Sequence, residues 1–279
     1  MRIAAVSASV FTRSAHWRRG RYTVFAMNIP MLTPLDPPAT VDFTAPLRWL
    51  SLGWADLRRN PGPGLAHGLL LAMFGWLLLA VAHDQFWLLA GAFSGFLIVA
   101  PILTTGLYQV SRNCATGNCV GMQEVISLWR SGDGRLVRFG LLLSVAGTGW
   151  VVTSAGLIHV FTPDLIRSPA DFLRHVVLSR SSWLFEMWVF LGGLLAAPVF
   201  ASSVIAIPML VDKPVTVMQA VHASWRAVAS NPVALGLWAL IIMMLVGVGM
   251  LTGLLGLIVI IPLLAHASWH AYRELTGVS

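Results

Sequence analysis

Charge is what this chain has least of, and its scarcity excludes more than any motif does. Of 279 residues only 10% are Asp, Glu, Lys or Arg, while 57% are hydrophobic. A soluble globular domain carries about 25% charged residues, so a water-soluble fold is excluded. Acidic residues are the rarer sign, 11 against 18 basic ones, for a formal net charge of +7. That surplus does not point to nucleic acid, because the basic residues are scattered along the chain and not gathered on one face. In a membrane protein, excess Lys and Arg collects on the cytoplasmic side.

Cysteine is nearly absent. Cys114 and Cys119 make one C-x4-C, short of the four matched ligands of a zinc site, and reduced thiols in a cytoplasmic loop are expected. There is no G-x-x-x-x-G-K-[ST], no H-E-x-x-H, no G-x-S-x-G and no pair of carboxylates inside an apolar run. ATPase and hydrolase chemistry therefore have no visible machinery, and the expectation is a protein that is not an enzyme. Residues 1–44 carry Arg13, Arg18, Arg19 and Arg21 with no apolar core behind them. They do not read as a signal peptide but as a disordered N-terminal tail, with Met27 an alternative start.

What the chain does have is long runs without charge. Residues 60–83, 85–111, 139–163 and 187–211 are each of single-span length, and 227–272 runs for 46 residues. About 20 apolar residues cross a bilayer core. Four single spans and one double predict six transmembrane helices, because unbroken apolar runs select helices over a barrel. The predicted fold class is all-α, a polytopic membrane protein with one transmembrane domain over residues 45–275.

The chain also resembles itself. Residues 122–130 (MQEVISLWR) match 218–226 (MQAVHASWR), and Trp54-x5-Asn60-Pro61 matches Trp225-x5-Asn231-Pro232. A glycine-to-proline stretch occurs at 95–101, 192–198 and 256–262. These pieces assemble into three repeats, about 45–112, 118–211 and 215–273, each a cytoplasmic amphipathic helix followed by a helical hairpin. Leu47/Leu50/Trp54, Met122/Val125/Trp129 and Met218/Val221/Trp225 put apolar residues on one helical face. Trp54, Trp129 and Trp225, with Trp269 and Tyr272 at the end of the last span, are expected at the membrane interface. Pro61 and Pro232 follow Asn and should break the helix there, and Pro101, Pro198 and Pro262 are expected helix-break positions within spans. Gly91-x3-Gly95 and Gly249-x3-Gly253 suit close helix packing. Glu186 and the 162–182 loop, with Phe172, Leu173, Val176 and Val177, are expected at the outer surface.

Metal-ligating residue types gather at one place. His266 and His270 are four apart and share a helical face, a spacing used by haem and metal sites. His67, at the cytoplasmic end of the first span, is the candidate third ligand.

Several stretches resemble one bacterial family. They are 49–57 (WLSLGWADL), 95–101 with Gly106-Leu-Tyr108 and Ser111-Arg112, 207–210, Asn231-Pro232, and the closing His266-Ala-Ser-Trp269-His270-Ala-Tyr272-Arg273. The resemblance is to the integral membrane proteins known as domain of unknown function 2189, over roughly residues 42–275. Ala265 stands where glycine is usual in that family, and Ser268 where threonine is. The resemblance implies a bacterial inner-membrane location and no established activity.

The expected role is to carry or sequester a small or lipid-like molecule, or to support a membrane complex, as a homo-oligomer or with another membrane protein. The competing expectation is a haem- or metal-handling protein. Orientation follows from charge. With both termini cytoplasmic, only Arg167, Arg174 and Arg180 of the 18 Lys and Arg lie outside. A tag inserted near Asp171 is expected to react from the outer face of intact cells. Labelling from the cytoplasmic face alone would overturn this orientation.

Overall fold

A computed structural model describes residues 37–81, 91–92, 105–115, 122–130, 133–162, 166–179 and 183–277. Every described element is a helix. In chain order they are α1 (Ala45–Arg59), α2 (Pro61–Val81), α3 (Thr105–Ala115), α4 (Met122–Arg130), α5 (Gly134–Phe161), α6 (Pro169–Phe172) with a π-helical turn (Leu173–Val177), α7 (Leu184–Ser203), α8 (Ala206–Asp212), α9 (Val217–Ser230), α10 (Pro232–Leu251) and α11 (Leu257–Thr276).

Four segments are long and apolar enough to cross a membrane: α2, α5, α7 together with α8, and α10. The six expected spans are thus shown only in part. Most of the second lies outside the described residues. The sixth was expected over α11, which is not among the four: its C-terminal half carries His266, His270, Arg273 and Glu274, which lower its hydropathy.

The organising helix is α11, with α1 and α2 packed along it. Two glycines set how close they come. A Cβ on Gly53 would lie 2.6 Å from the Ala267 nitrogen, and one on Gly68 would lie 2.1 Å from the Ile258 carbonyl oxygen. Backbone meets backbone at both places, the device by which membrane helices gain contact without a hydrophobic drive between them. Around this seam lies the main core, where Trp49 meets Trp238 edge-on at 5.7 Å and Trp269, Tyr272, Phe139 and Leu210 are also buried.

The breaks between helices have local causes. Pro61 and Pro232 stand at the first position of α2 and α10, directly after Asn60 and Asn231, as expected. Proline suits that position because its missing N–H has no partner there anyway. Pro198 and Pro262, expected as helix breaks, instead sit inside continuous helices. The break in that part of the chain falls at Val204–Ile205, between α7 and α8. Pro208 explains it, since it cannot donate to the carbonyl four residues earlier, at Val204. Pro101 and Gly95 lie outside the described residues. The α10–α11 hairpin turns through Gly253 and Leu254, with φ of 65° and 71°. Leu254 tolerates this left-handed backbone because its side chain is buried with Leu71, Leu257 and Ile261.

Two expectations are corrected. The N-terminal tail does not extend to residue 44. Val41 N donates to Asn231 Oδ1 at 2.8 Å and Asn231 Nδ2 donates to the Ala39 carbonyl at 3.0 Å, so this strand of chain is pinned to the α9–α10 junction. The 162–182 loop contains a short helix, α6 with its π-helical turn. Val176 packs with Ile158, Ile166 and Leu184, against the ends of α5 and α7. Cys114 is disulfide-bonded and not a reduced thiol, while Cys119 lies outside the described residues.

Gly68→Ala places a methyl group on a backbone carbonyl that no side-chain rotation can move. The expected loss is at or above the upper end of the roughly 1–3 kcal/mol typical of overpacking, read as a fall in melting temperature in detergent. A Gly68→Ala protein that melts like wild type would show that α2 does not seat on α11 in this way.

Candidate functional site

Polar groups from α1, α2, α3 and α11 meet at one end of the helical body. The helical period places His266 and His270 on one face of α11. Gly53 brings the α1 backbone against Ala267, so Asp56, one turn further along α1, arrives beside them. The packing of α3 on α11 adds Ser111.

The contacts form a chain. His270 Nε2 lies 2.8 Å from Asp56 Oδ2, Ser111 Oγ lies 2.9 Å from the same oxygen, and His266 Nδ1 lies 2.6 Å from Ser111 Oγ. Proton positions follow from what each group can do. A carboxylate only accepts, so His270 Nε2–H and Ser111 Oγ–H both donate to Asp56. The single Ser111 proton is then used, so His266 Nδ1 must be the N–H donating to Ser111. In a neutral ring this leaves the lone pair of His266 on Nε2.

Exposure falls along the chain. Asp56 and His270 side chains are 16% and 15% exposed, while Ser111 and His266 are buried at 1% and 0%. Burial raises the Asp56 carboxyl, but hydrogen bonds from His270 and Ser111 and the positive potential of the imidazoles outweigh it and hold it below its ordinary value of 3.8. Asp56 is therefore ionised at neutral pH, an anchor for two donors.

His67 joins from α2. It is 2% exposed, and its Nδ1 lies 2.7 Å from the Pro63 carbonyl. A carbonyl only accepts, so Nδ1 carries the proton. Beyond this cluster, the last turns of α11 are fastened twice more. Tyr272 Oη donates to Asp212 at 2.7 Å, with Arg112 3.6 Å from the same carboxylate. Glu274 pairs with Arg48 and accepts from Trp49 Nε1 at 2.9 Å.

The expected histidine pair is thus brought together, but both members are engaged by Asp56 and Ser111. Among the described residues, no three His, Cys, Asp or Glu are arranged to hold a metal ion. Trp54 and Trp225 are 44% and 46% exposed. The side chain of Trp129 lies outside the described residues. Trp269 and Tyr272 are corrected: at 2% and 0% exposure they are core residues against α1 and α8, not an aromatic belt. Glu186 is exposed in the first turn of α7. Sequence reasoning assigned no role to Asp56, Ser111 or Asp212. One signal was present: Asp56 is the sole acidic residue of α1, beside the buried Leu57.

Long apolar helices around a small polar cluster define an integral membrane protein. The family model described as "Predicted integral membrane protein (DUF2189)" matches residues 88–212, and over that stretch the resemblance is shown. The match includes Ser111, Arg112 and Asp212, and leaves Asp56, His67, His266 and His270 outside it. No curated protein and no solved structure matches the chain.

Because the folded Asp56 carboxyl lies below its unfolded value, its stabilisation is complete above pH 3.8 and is lost as pH falls through the lower folded value. Asp56→Asn is expected to lower stability at neutral pH by about 1.5–3 kcal/mol, the worth of a hydrogen bond to a charged group. It should also flatten the acid limb of the melting curve below pH 4. Identical pH profiles for variant and wild type would remove Asp56 as the anchor.

Proposed function

We propose that the protein is a non-enzymatic bacterial inner-membrane protein, with both termini cytoplasmic, that carries or sequesters a lipid-like molecule. The observation that carries this reading is an apolar groove between α5 and α7. It encloses about 710 Å³ and is lined by Leu143, Ala146, Trp150, Leu195, Val199 and Ile242 among others. Ligand sites fall at about 300–1,000 Å³. A second hollow of about 300 Å³ shares Leu143, Ala146 and Val199 and reaches Met218 and Val221 on α9.

The chemistry of the wall supports an apolar occupant. Its hydroxyls are spent on their own helices: Thr153 Oγ1 donates to the Gly149 carbonyl at 2.7 Å and Ser203 Oγ to Val199 at 2.8 Å. Among the described residues no titratable side chain lines either hollow. The groove therefore offers shape and apolar surface, with nothing to drive a reaction. Width at its far end comes from Gly192, where a Cβ would sit 3.1 Å from the Trp150 ring. In this reading the outward faces of α1 and α9, with Trp54 and Trp225, lie at the headgroup boundary and place the α9 end of the groove where a lipid tail enters.

Native mass spectrometry of the detergent-purified protein is expected to show bound lipid at defined stoichiometry. Ala146→Trp, which fills the groove, should lose that lipid and the thermal shift it produces. Equal occupancy in the variant, or no lipid retained by wild type, would sink the carrier reading.

A further inference from the structure

We infer that His67 and His266 together bind one copper(I) ion, at a site on other helices than the apolar groove and independent of it. The argument begins with His266 Nε2. Its ring is fully buried, Nδ1 is the protonated nitrogen, and among the described residues nothing hydrogen-bonds to Nε2. An acceptor in that position is a donor-seeking or metal-seeking atom.

His67 supplies the second nitrogen. The Pro63 carbonyl takes its Nδ1–H, so its lone pair too is on Nε2. The two rings are neighbours across the α2–α11 seam. Gly64, one turn before His67, has its Cβ position 3.7 Å from His266 Nε2.

Each imidazole is also oriented as metal ligands are. Such histidines give their other ring N–H to a backbone carbonyl or a carboxylate, which sets ring angle and tautomer. His67 uses the Pro63 carbonyl, and His266 reaches the Asp56 carboxylate through Ser111. The ion's identity follows from the donor count and the surroundings. Among the described residues no third His, Cys, Asp or Glu is in place, and two nitrogens do not make the tetrahedral set of structural zinc. Two neutral imidazoles suit copper, for which imidazole is a good ligand, and copper(I) accepts two donors in line. The cost of burying a charge rises with its square, so a monovalent ion is favoured over a divalent one here.

The test uses the full chain in detergent, titrated anaerobically with copper(I) against a chromogenic chelator and then measured by X-ray absorption. The expected result is one copper(I) per chain with two imidazole nitrogens. His67→Ala and His266→Ala should abolish binding. Ser111→Ala, which frees the His266 ring, should weaken it about 10–100-fold. His270→Gln keeps an N–H for Asp56 and should bind like wild type. The inference is overturned by a wild-type protein that binds no copper(I), or by a His67→Ala protein that binds as tightly as wild type. It is equally overturned if His270→Gln loses the ion as completely as His266→Ala. Should the alanine variants fail to fold, the wild-type absorption spectrum decides alone: two imidazoles support the site and any other ligand set overturns it.

Discussion

The ionised carboxylate of Asp56 ties three helices at one point. It belongs to α1, accepts from Ser111 of α3 and from His270 of α11, and through Ser111 reaches His266. A charge in so apolar a body would be unfavourable alone. Supplied with two donors it becomes the acceptor that sets the proton positions of the whole cluster. The tautomer of His266, and with it the availability of Nε2, follows from that one ionisation.

The two ends of the structure are held together by different physics. On the α11 side, backbones touch at Gly53 and Gly68, and Asp56, Asp212 and Glu274 each receive a donor from another helix. Lipid tails are as apolar as leucine, so close packing and hydrogen bonds, not exclusion of water, must hold helices together in a bilayer. On the α5–α7 side neither device is present to the same degree. A groove is left where large side chains alternate with glycine and alanine, and its hydroxyls are turned back onto their own helices.

Much of this was legible in the residues. Charge-free runs marked the apolar helices because a bilayer imposes length and removes charge. The Asn-Pro steps marked two helix starts, and the four-residue spacing of His266 and His270 marked one face. What misled was the use of a residue's type as a sign of its surroundings. Trp269 and Tyr272 resemble an interfacial belt, yet both are core, because α1 and α8 cover that face of α11. Pro198 and Pro262 resemble breaks, yet the helices run through them, while Pro208 accounts for the break that occurs. Residues 37–44 resemble a loose tail until Asn231, far away in the chain, pins them.

By itself, then, the sequence determined the class of protein, the rough extent of the four segments long and apolar enough to cross a membrane, and which short segments stand apart from them. These are properties of length, charge and period, and each is local. Only the tertiary structure decided which nitrogen of His266 carries the proton, that Asp56 engages His270, and that His67 is the neighbour of His266. Those facts depend on groups as far apart in the chain as Asp56 and His270, 214 residues, meeting within hydrogen-bond distance. What allows the meeting is the absence of a side chain at Gly53 and Gly68, whose meaning appears only once α11 lies against them.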